Sequence, residues 1–305
     1  SRREDLGISR KKMGQKIGVY QTIPQQWEEQ NDGVFPRYGS FNKYLGVLGK
    51  TLSQIENFAI HVPLHQWNGD PIPRSAKFYL GNHTRAVEVR FAFDEDLSYL
   101  LGWYLGDGSQ ANTKNNPNRF TLSIGQAKEG MPLDRVCQIL RAKFNAPAIF
   151  ENHKTYRVLH FHSLSFKLLL KQLGVYGKRA HEKFVPDILF NVKPPVQEAF
   201  LRGLLQSDGY LIRSKRAKVL FGHCTVSPQL GKGIVYLYRQ LGIFPKIANR
   251  GKARSHYSQG VLIESRHDRY DITISTRGDL QATEAIWGEH RMAEKLRSYL
   301  NNPNP

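Results

Sequence analysis

Leu100-Leu-Gly-Trp-Tyr-Leu-Gly-Asp-Gly108 and Leu201-Arg-Gly-Leu-Leu-Gln-Ser-Asp-Gly209 decide the fold. Leu, Gly, Asp and Gly recur in both stretches, each pair 101 positions apart and without a gap. Gly102 and Gly106 stand four apart, as do Gly203 and Ser207, so each pair shares one helix face. Small residues at that spacing let two helix backbones approach closely. The two stretches therefore read as paired helices forming a seam between two halves. Asp107 and Asp208 fall in the last turns, with Gly108 and Gly209 as C-terminal stops. A carboxylate there opposes the helix dipole by roughly 0.3–1 kcal/mol, and two carboxylates at one seam repel further. A divalent cation relieves that conflict, and carboxylates with water suit Mg²⁺. A helix ending in Asp-Gly is a common turn when it occurs once; two copies in register are not explained that way.

Working outward, the same order of elements follows each motif. After the first, the pattern predicts a strand over 119–124, a helix over 133–144, strands over 148–150 and 156–161 and a helix over 165–173. In the second repeat the helix spans 196–207. Strands are predicted over 210–212 and 218–222, a helix over 228–241, strands over 246–249 and 270–275, and a helix from about 279. The expected fold class is α+β, with tandem αββαββα repeats from an internal duplication. Residues 1–58 read as short helices, including a turn at Gly18 and a helical run from Phe41 to Phe58. Residues 59–93, with Pro63, Pro71 and Pro73, read as a linker holding one strand near 87–93. The repeats then occupy 94–193 and 194–305.

Charge narrows the partner. Lys and Arg number 44 against 26 Asp and Glu, a net charge of +18. That excess fits a polyanion, since counterion release drives phosphate binding; the bland alternative is a solubilising surface. An apolar fraction of 40% supports a packed core. No apolar run reaches the ~18 residues of a membrane span, and no signal-peptide pattern is present. Cys137 and Cys224 make neither a disulfide framework nor a zinc site, which fits a reducing, intracellular, cytoplasmic setting. The 11 histidines show no metal-binding spacing, and His160 and His162 merely alternate on a strand.

The paired motif, together with His223-Cys-Thr-Val-Ser-Pro-Gln-Leu230 and Val235-Tyr-Leu-Tyr-Arg-Gln-Leu-Gly-Ile243, resembles the LAGLIDADG homing-endonuclease family over about 94–300. The resemblance implies the two-repeat, pseudo-twofold form of that fold, with saddle-shaped antiparallel sheets. It implies metal binding by Asp107 and Asp208, with Gly106 and Ser207 beside them. Mg²⁺ is the expected cofactor, Mn²⁺ substituting and Ca²⁺ binding without supporting cleavage. The family also places a catalytic lysine after the third helix of each repeat. Arg179-Ala-His-Glu-Lys-Phe184 and Arg291-Met-Ala-Glu-Lys-Leu296 match at equal internal spacing, which points to Lys183 and Lys295. Such a lysine stabilises developing negative charge near a phosphate. Gln126 stands where relatives position the attacking water; its second-repeat partner is Thr225 or Ser227.

Basic residues on or beside the predicted strands are candidates for DNA contact: Arg119, Arg157, Arg213, Lys215, Arg216, Lys218, Lys246, Arg250 and Lys252. Some would read base edges and others only touch phosphates. Residues Lys12 to Glu29 resemble a helix-turn-helix domain, with Gln25 and Gln26 on the DNA-facing helix. Pro24 lies within that helix unless it starts near the proline. A helical cap on the core is the other reading of this segment.

The implied function is a monomeric, metal-dependent endonuclease cutting a long pseudo-palindromic DNA duplex, one phosphodiester per strand, with short 3′ overhangs. An RNA maturase and a cleavage-inactive DNA-binding regulator are the alternatives. The chain ends on Asn-Asn-Pro-Asn-Pro305 and shows no splicing end, leaving intron, intein and free-standing origins open.

Overall fold

The computed structural model describes residues 2–28, 38–51, 59–62, 77–80, 86–88, 92–110, 118–125, 133–154, 156–213, 219–252, 256–258, 261–290 and 292–302. The chain divides into two compact units, residues 1–91 with 143–145, and 92–142 with 146–305.

The first unit contains α1 (Arg2–Asp5), α2 (Arg10–Ile17), α3 (Thr22–Glu28) and α4 (Tyr38–Val47). A small sheet follows, β1 (Ala59–Val62), β2 (Lys77–Leu80) and β3 (Ala86–Glu88), in the order β1-β2-β3. So the described residues of 59–88 form three strands where the sequence suggested one. Ser9 caps α2 by accepting from the Lys12 amide at 3.2 Å, and Gly18, at φ 74°, closes it in the left-handed region. Pro24 is the third residue of α3, within the first turn, where its missing N–H has no intrahelical partner to lose. Helix α4 ends well short of Phe58 because Gly49, at φ 64°, turns the chain and lets the Lys50 amide reach the Leu45 carbonyl at 2.9 Å. Glu28 ties this unit together. Its carboxylate accepts from Arg3 at 2.7 Å, Arg10 at 3.2 Å and the Tyr44 hydroxyl at 2.8 Å. These donors outweigh the effect of burial and hold its pKa down at about 2.

The second unit is the duplicated α+β body. Its first repeat runs α5 (Glu95–Asp107), β4 (Gly108–Gln110), β5 (Arg119–Gly125), α6 (Leu133–Phe144), β6 (Ile149–Asn152), β7 (Tyr156–His162) and α7 (Leu164–Gln172). Short 3-10 turns at Ala180–Glu182 and Asp187–Asn191 lead into the second. That repeat runs α8 (Pro194–Asp208), β8 (Gly209–Arg213), β9 (Val219–Thr225), α9 (Pro228–Gln240), β10 (Lys246–Lys252), β11 (His256–Ser258), β12 (Val261–Ile263), β13 (Asp268–Ile274), α10 (Arg277–Ala282), α11 (Glu284–Trp287) and α12 (Ala293–Asn301). The sheets have the same connectivity, β4-β5-β7-β6 and β8-β9-β13-β10, all antiparallel. Their register repeats as well: Gly108 pairs with Leu122, Gly209 with His223, and both partners are again 101 positions apart. The β11–β12 hairpin is an insertion in the second repeat only.

Local chemistry sets the boundaries. Asp94 caps α5, accepting from the Leu97 amide at 3.0 Å, and Glu95 and Asp96 complement the helix N-terminus. In the first repeat Tyr104, Phe120, Phe161 and Phe166 pack edge-on and stacked between α5, the sheet and α7. Phe221, Ile272, Tyr238, Leu280 and Trp287 fill the corresponding space in the second. Each such side chain contributes about 1.5–3 kcal/mol by leaving water.

Candidate functional site

The site is built on the α5–α8 pair. Both helices are apolar around most of their circumference; Leu100, Leu101, Trp103, Leu201, Leu204 and Leu205 are all buried. The helices run side by side in the same direction. Ser98 Oγ donates to the Val196 carbonyl at 2.7 Å near their starts, and Tyr99 donates from its hydroxyl to Gln206 Oε1 further along. The glycines are where the backbones touch. A Cβ on Gly102 would stand 2.2 Å from the Phe200 carbonyl oxygen, and one on Gly203 2.1 Å from that of Tyr99. At the last turn a Cβ on Gly106 would lie 2.0 Å from Ser207 Oγ and 3.2 Å from Asp208 Cβ. The seam therefore carries Asp208 to within a few ångströms of the turn that presents Asp107.

Gly108 and Gly209 terminate the helices differently from expectation. Their φ values, −81° and −85°, are extended, not left-handed. Glycine is required by space: a Cβ on Gly108 would meet the Tyr104 carbonyl oxygen at 2.3 Å, and one on Gly209 that of Leu205 at 2.3 Å. Each chain thus passes straight from helix into the edge strand of its sheet, β4 or β8, and both sheets flank the helix ends.

Asp107 is half-buried and Asp208 exposed. Lys183 lies with them. It follows the 3-10 turn closed by the Arg179 amide donating to Glu182 Oε2 at 2.9 Å, and it is only 8% exposed. Its ammonium donates to the carbonyls of Leu105 at 2.8 Å, Gly106 at 3.1 Å and Gly108 at 3.2 Å. Burial pulls the Lys183 pKa below the usual lysine range, while Asp208 and then Asp107 hold the charge in place. The matching motif in the second repeat goes elsewhere. Lys295 is an exposed residue of α12, lining a hollow with Leu211, Val219, Met292, Glu294 and Ser298.

The donor set suits a hard divalent cation. Two carboxylates meet at two negatively charged helix ends of about half a charge each, with one ammonium in opposition, leaving roughly two negative charges to balance. Two carboxylates supplemented by water and phosphate oxygens is the usual set for Mg²⁺. Among the described residues no group of three His, Cys, Asp or Glu could hold a metal without such help. Of the backbone oxygens expected to assist, Gly106 already accepts from Lys183. Ser207 is fully buried, and its hydroxyl donates to the Leu204 carbonyl at 3.0 Å.

Gln126 lies outside the described residues. The shared register makes Ser227, not Thr225, its second-repeat counterpart, because Thr225 corresponds to Ile124. Ser227 is buried at the start of α9, accepting from the Leu230 amide at 3.1 Å and donating to the Lys183 carbonyl at 2.6 Å.

The sheets sort the basic candidates by face. In the first, Phe120, Leu122, Ile124, Leu159 and Phe161 face the core. Arg119, Thr121, Ser123 and His160 occupy the open face. Arg119 there meets His160 Nδ1 at 3.0 Å, and His160 Nε2 meets Glu151 at 2.7 Å. Arg157 pairs with Ile124 and Asn152 and so belongs to the opposite face, its guanidinium 4.7 Å from the Phe150 ring centroid. In the second sheet Lys246 and Arg250 accompany the open face, and Lys252 is exposed at the end of β10. A shallow depression there is lined by Tyr210, Ile212, Leu220, Arg250, Arg269 and Asp271 among others. Arg269 was not singled out from the sequence. It pairs with Asp271 at 3.3 Å, opposite the Arg250–Asp271 contact at 3.0 Å. Alternation through Arg269, Asp271 and Thr273 was the available signal. Arg213 ends β8, and Lys215, Arg216 and Lys218 lie outside the described residues. Gln25 and Gln26 are half-buried on α3 in the first unit. No helix among the described residues is long and apolar enough to cross a membrane.

Residues 195–287 match the LAGLIDADG-like domain family. The replicative DNA helicase DnaB of Synechocystis sp. is 26% identical over 251 residues, 77% of this chain and 26% of that protein. The protein RecA of Mycobacterium tuberculosis is 28% identical over 127 residues, 39% of this chain and 16% of that one. The chain thus spans about a quarter or less of the length of these curated relatives. A crystal structure of I-DmoI in complex with DNA and Ca aligns with a TM-score of 0.46 at 16% identity, covering 68% of this chain and 98% of that one.

Proposed function

We propose that this chain, residues 195–287 of which match the LAGLIDADG-like domain family, is a site-specific DNA endonuclease that uses a divalent metal to hydrolyse one phosphodiester in each strand. The observation carrying the reading is the pair of aspartates brought together at the ends of two helices whose backbones touch through Gly102 and Gly203. Asp107 and Asp208 hold the cation, with Mg²⁺ as the native ion and Mn²⁺ as a substitute. Bound there, the cation lowers the pKa of water and stabilises charge on the phosphate. The protein's own part is placement. The seam fixes the two carboxylates, and the open sheet faces bind duplex through Arg119, Lys246, Arg250 and Arg269. The excess of 18 positive charges supplies sequence-independent attraction to the backbone. The duplicated body accounts for a monomer acting on a pseudo-palindromic target, with a short 3′ stagger. The helical first unit adds a second DNA contact through Gln25 and Gln26.

The relatives support a transferable module. The helicase and RecA are different proteins, yet each matches this chain over a minor part of its own length. A segment carried within otherwise different proteins fits an intron- or intein-associated origin.

The test is incubation of the protein with a duplex library and Mg²⁺ or Mn²⁺, followed by sequencing of cut ends. Asp107→Asn and Asp208→Asn should each abolish double-strand cleavage while retaining DNA binding. Full cutting by both variants would reject the metal assignment, and wild-type binding without cutting would favour a DNA-binding regulator.

A further inference from the structure

We infer that Lys183 is a positioning residue, a clamp across the two repeats that fixes the carboxylate end of α5 against α8, and that it does not contact the scissile phosphate. The inference rests on the endonuclease reading for its metal and substrate. An ammonium has three donors and no acceptor. All three are used here, on the carbonyls of Leu105, Gly106 and Gly108. Leu105 and Gly106 are among the last carbonyls of α5, which have no helical partner of their own. A phosphate oxygen could take a donor from Lys183 only by leaving one of these carbonyls unpaired, at about 1–3 kcal/mol.

The other end of the residue is anchored in the second repeat. Ser227 Oγ donates to the Lys183 carbonyl at 2.6 Å while capping α9. Two residues on, Val185 is buried so tightly against α9 that a Cβ on Gly233 would lie 2.6 Å from Val185 Cγ2. Lys183 therefore crosses from α9 of one repeat to the last turn of α5 in the other, the turn that presents Asp107. The lysine at the matching motif position of the second repeat, Lys295, is exposed on α12 and makes no such crossing among the described residues. One clamp serves both aspartates.

The two roles for Lys183 predict opposite signs for metal binding. If its charge acted only on the phosphate, Lys183→Met would remove a cation beside two carboxylates, tighten metal binding and collapse the maximal rate. If it is the clamp, loss of the three carbonyl contacts lets the α5 end drift and weakens metal binding. Mn²⁺ binding is measured by calorimetry on the full chain without DNA. Cleavage is measured in parallel as a function of Mn²⁺. The expected result for Lys183→Met is at least tenfold weaker Mn²⁺ binding, with the rate at saturating Mn²⁺ within about tenfold of wild type. Lys183→Arg, whose guanidinium can again serve several carbonyls, should recover most of the affinity. Ser227→Ala should weaken binding severalfold in the same direction.

Mn²⁺ binding by Lys183→Met as tight as wild type or tighter overturns the inference. Should that variant not fold, Ser227→Ala with wild-type Mn²⁺ affinity does so. A wild type that binds Mn²⁺ without cutting any duplex removes the endonuclease reading and leaves the clamp standing; one that binds no Mn²⁺ removes both.

Discussion

Gly102→Ala tests the seam on which the site depends. In an isolated helix the change is favourable by about 1 kcal/mol, because alanine is the better helix former. Here the new methyl would stand 2.2 Å from the Phe200 carbonyl oxygen, 2.8 Å from the Leu204 nitrogen and 3.2 Å from the Gly203 carbonyl carbon. All three are backbone atoms, so no rotamer change relieves the contact. Ordinary Cβ contacts begin near 3.4 Å, and the helices must therefore part by about 1 Å at this crossing. Overpacking of this kind costs about 1–3 kcal/mol and here exceeds the propensity gain. At roughly 2–4 °C per kcal/mol for a unit of this size, thermal unfolding should come several degrees earlier. Parting the helices also separates the turns carrying Asp107 and Asp208, so double-strand cleavage should fall more than stability does. Gly278→Ala on α10 is the control, since nothing lies within 4 Å of its added methyl. The measurements are a thermal melt and a cleavage time course for both variants. An unchanged or raised melting temperature for Gly102→Ala, with full cutting, would refute the close-packed seam.

Two further outcomes follow from the sheets and the core. Arg269→Ala should weaken binding of the preferred duplex by about ten- to a hundredfold, the loss of one base-reading arginine. Arg157→Ala, on the opposite face, should change it no more than a few fold in the same gel-shift titration; equal losses would contradict the face assignment. Acid should destabilise the second unit through His223, which is buried with its Nε2 2.7 Å from the Tyr238 hydroxyl. Burial first, and His290 second, lower its pKa to about 3 from an ordinary 6.5. The unfolded chain therefore takes up a proton that the folded chain refuses. Stability is whole above about pH 6.5 and declines as pH falls toward 3, by an amount on the order of 4 kcal/mol. Urea midpoints measured across that range should fall less steeply for His223→Gln than for wild type.

Much of the body was legible because its signals are local. Helix α6 falls at its expected Leu133–Phe144, where the apolar spacing has the helical period. Strand β4 was missed because Gly-Ser-Gln110 has too few residues to show alternation, and only its pairing with β5 makes it a strand. The contrast between Lys183 and Lys295 was partly legible. Pro186 follows Lys183 by three and bars a continuing helix, whereas Ala293-Glu-Lys-Leu-Arg297 consists of good helix formers. Equal spacing within the two motifs concealed that difference.

By itself the sequence determined the duplication, the α+β repeat and the paired Asp-Gly helix ends, because glycine spacing, hydrophobic period and a constant offset of 101 are properties of one chain read in order. The tertiary structure alone decided which sheet faces Arg119, Arg157 and Arg269 join, that Ser227 caps α9 while holding the Lys183 carbonyl, and that three carbonyls occupy the Lys183 ammonium. Those depend on strand partners and on contacts between residues some 75 positions apart, which no local pattern encodes.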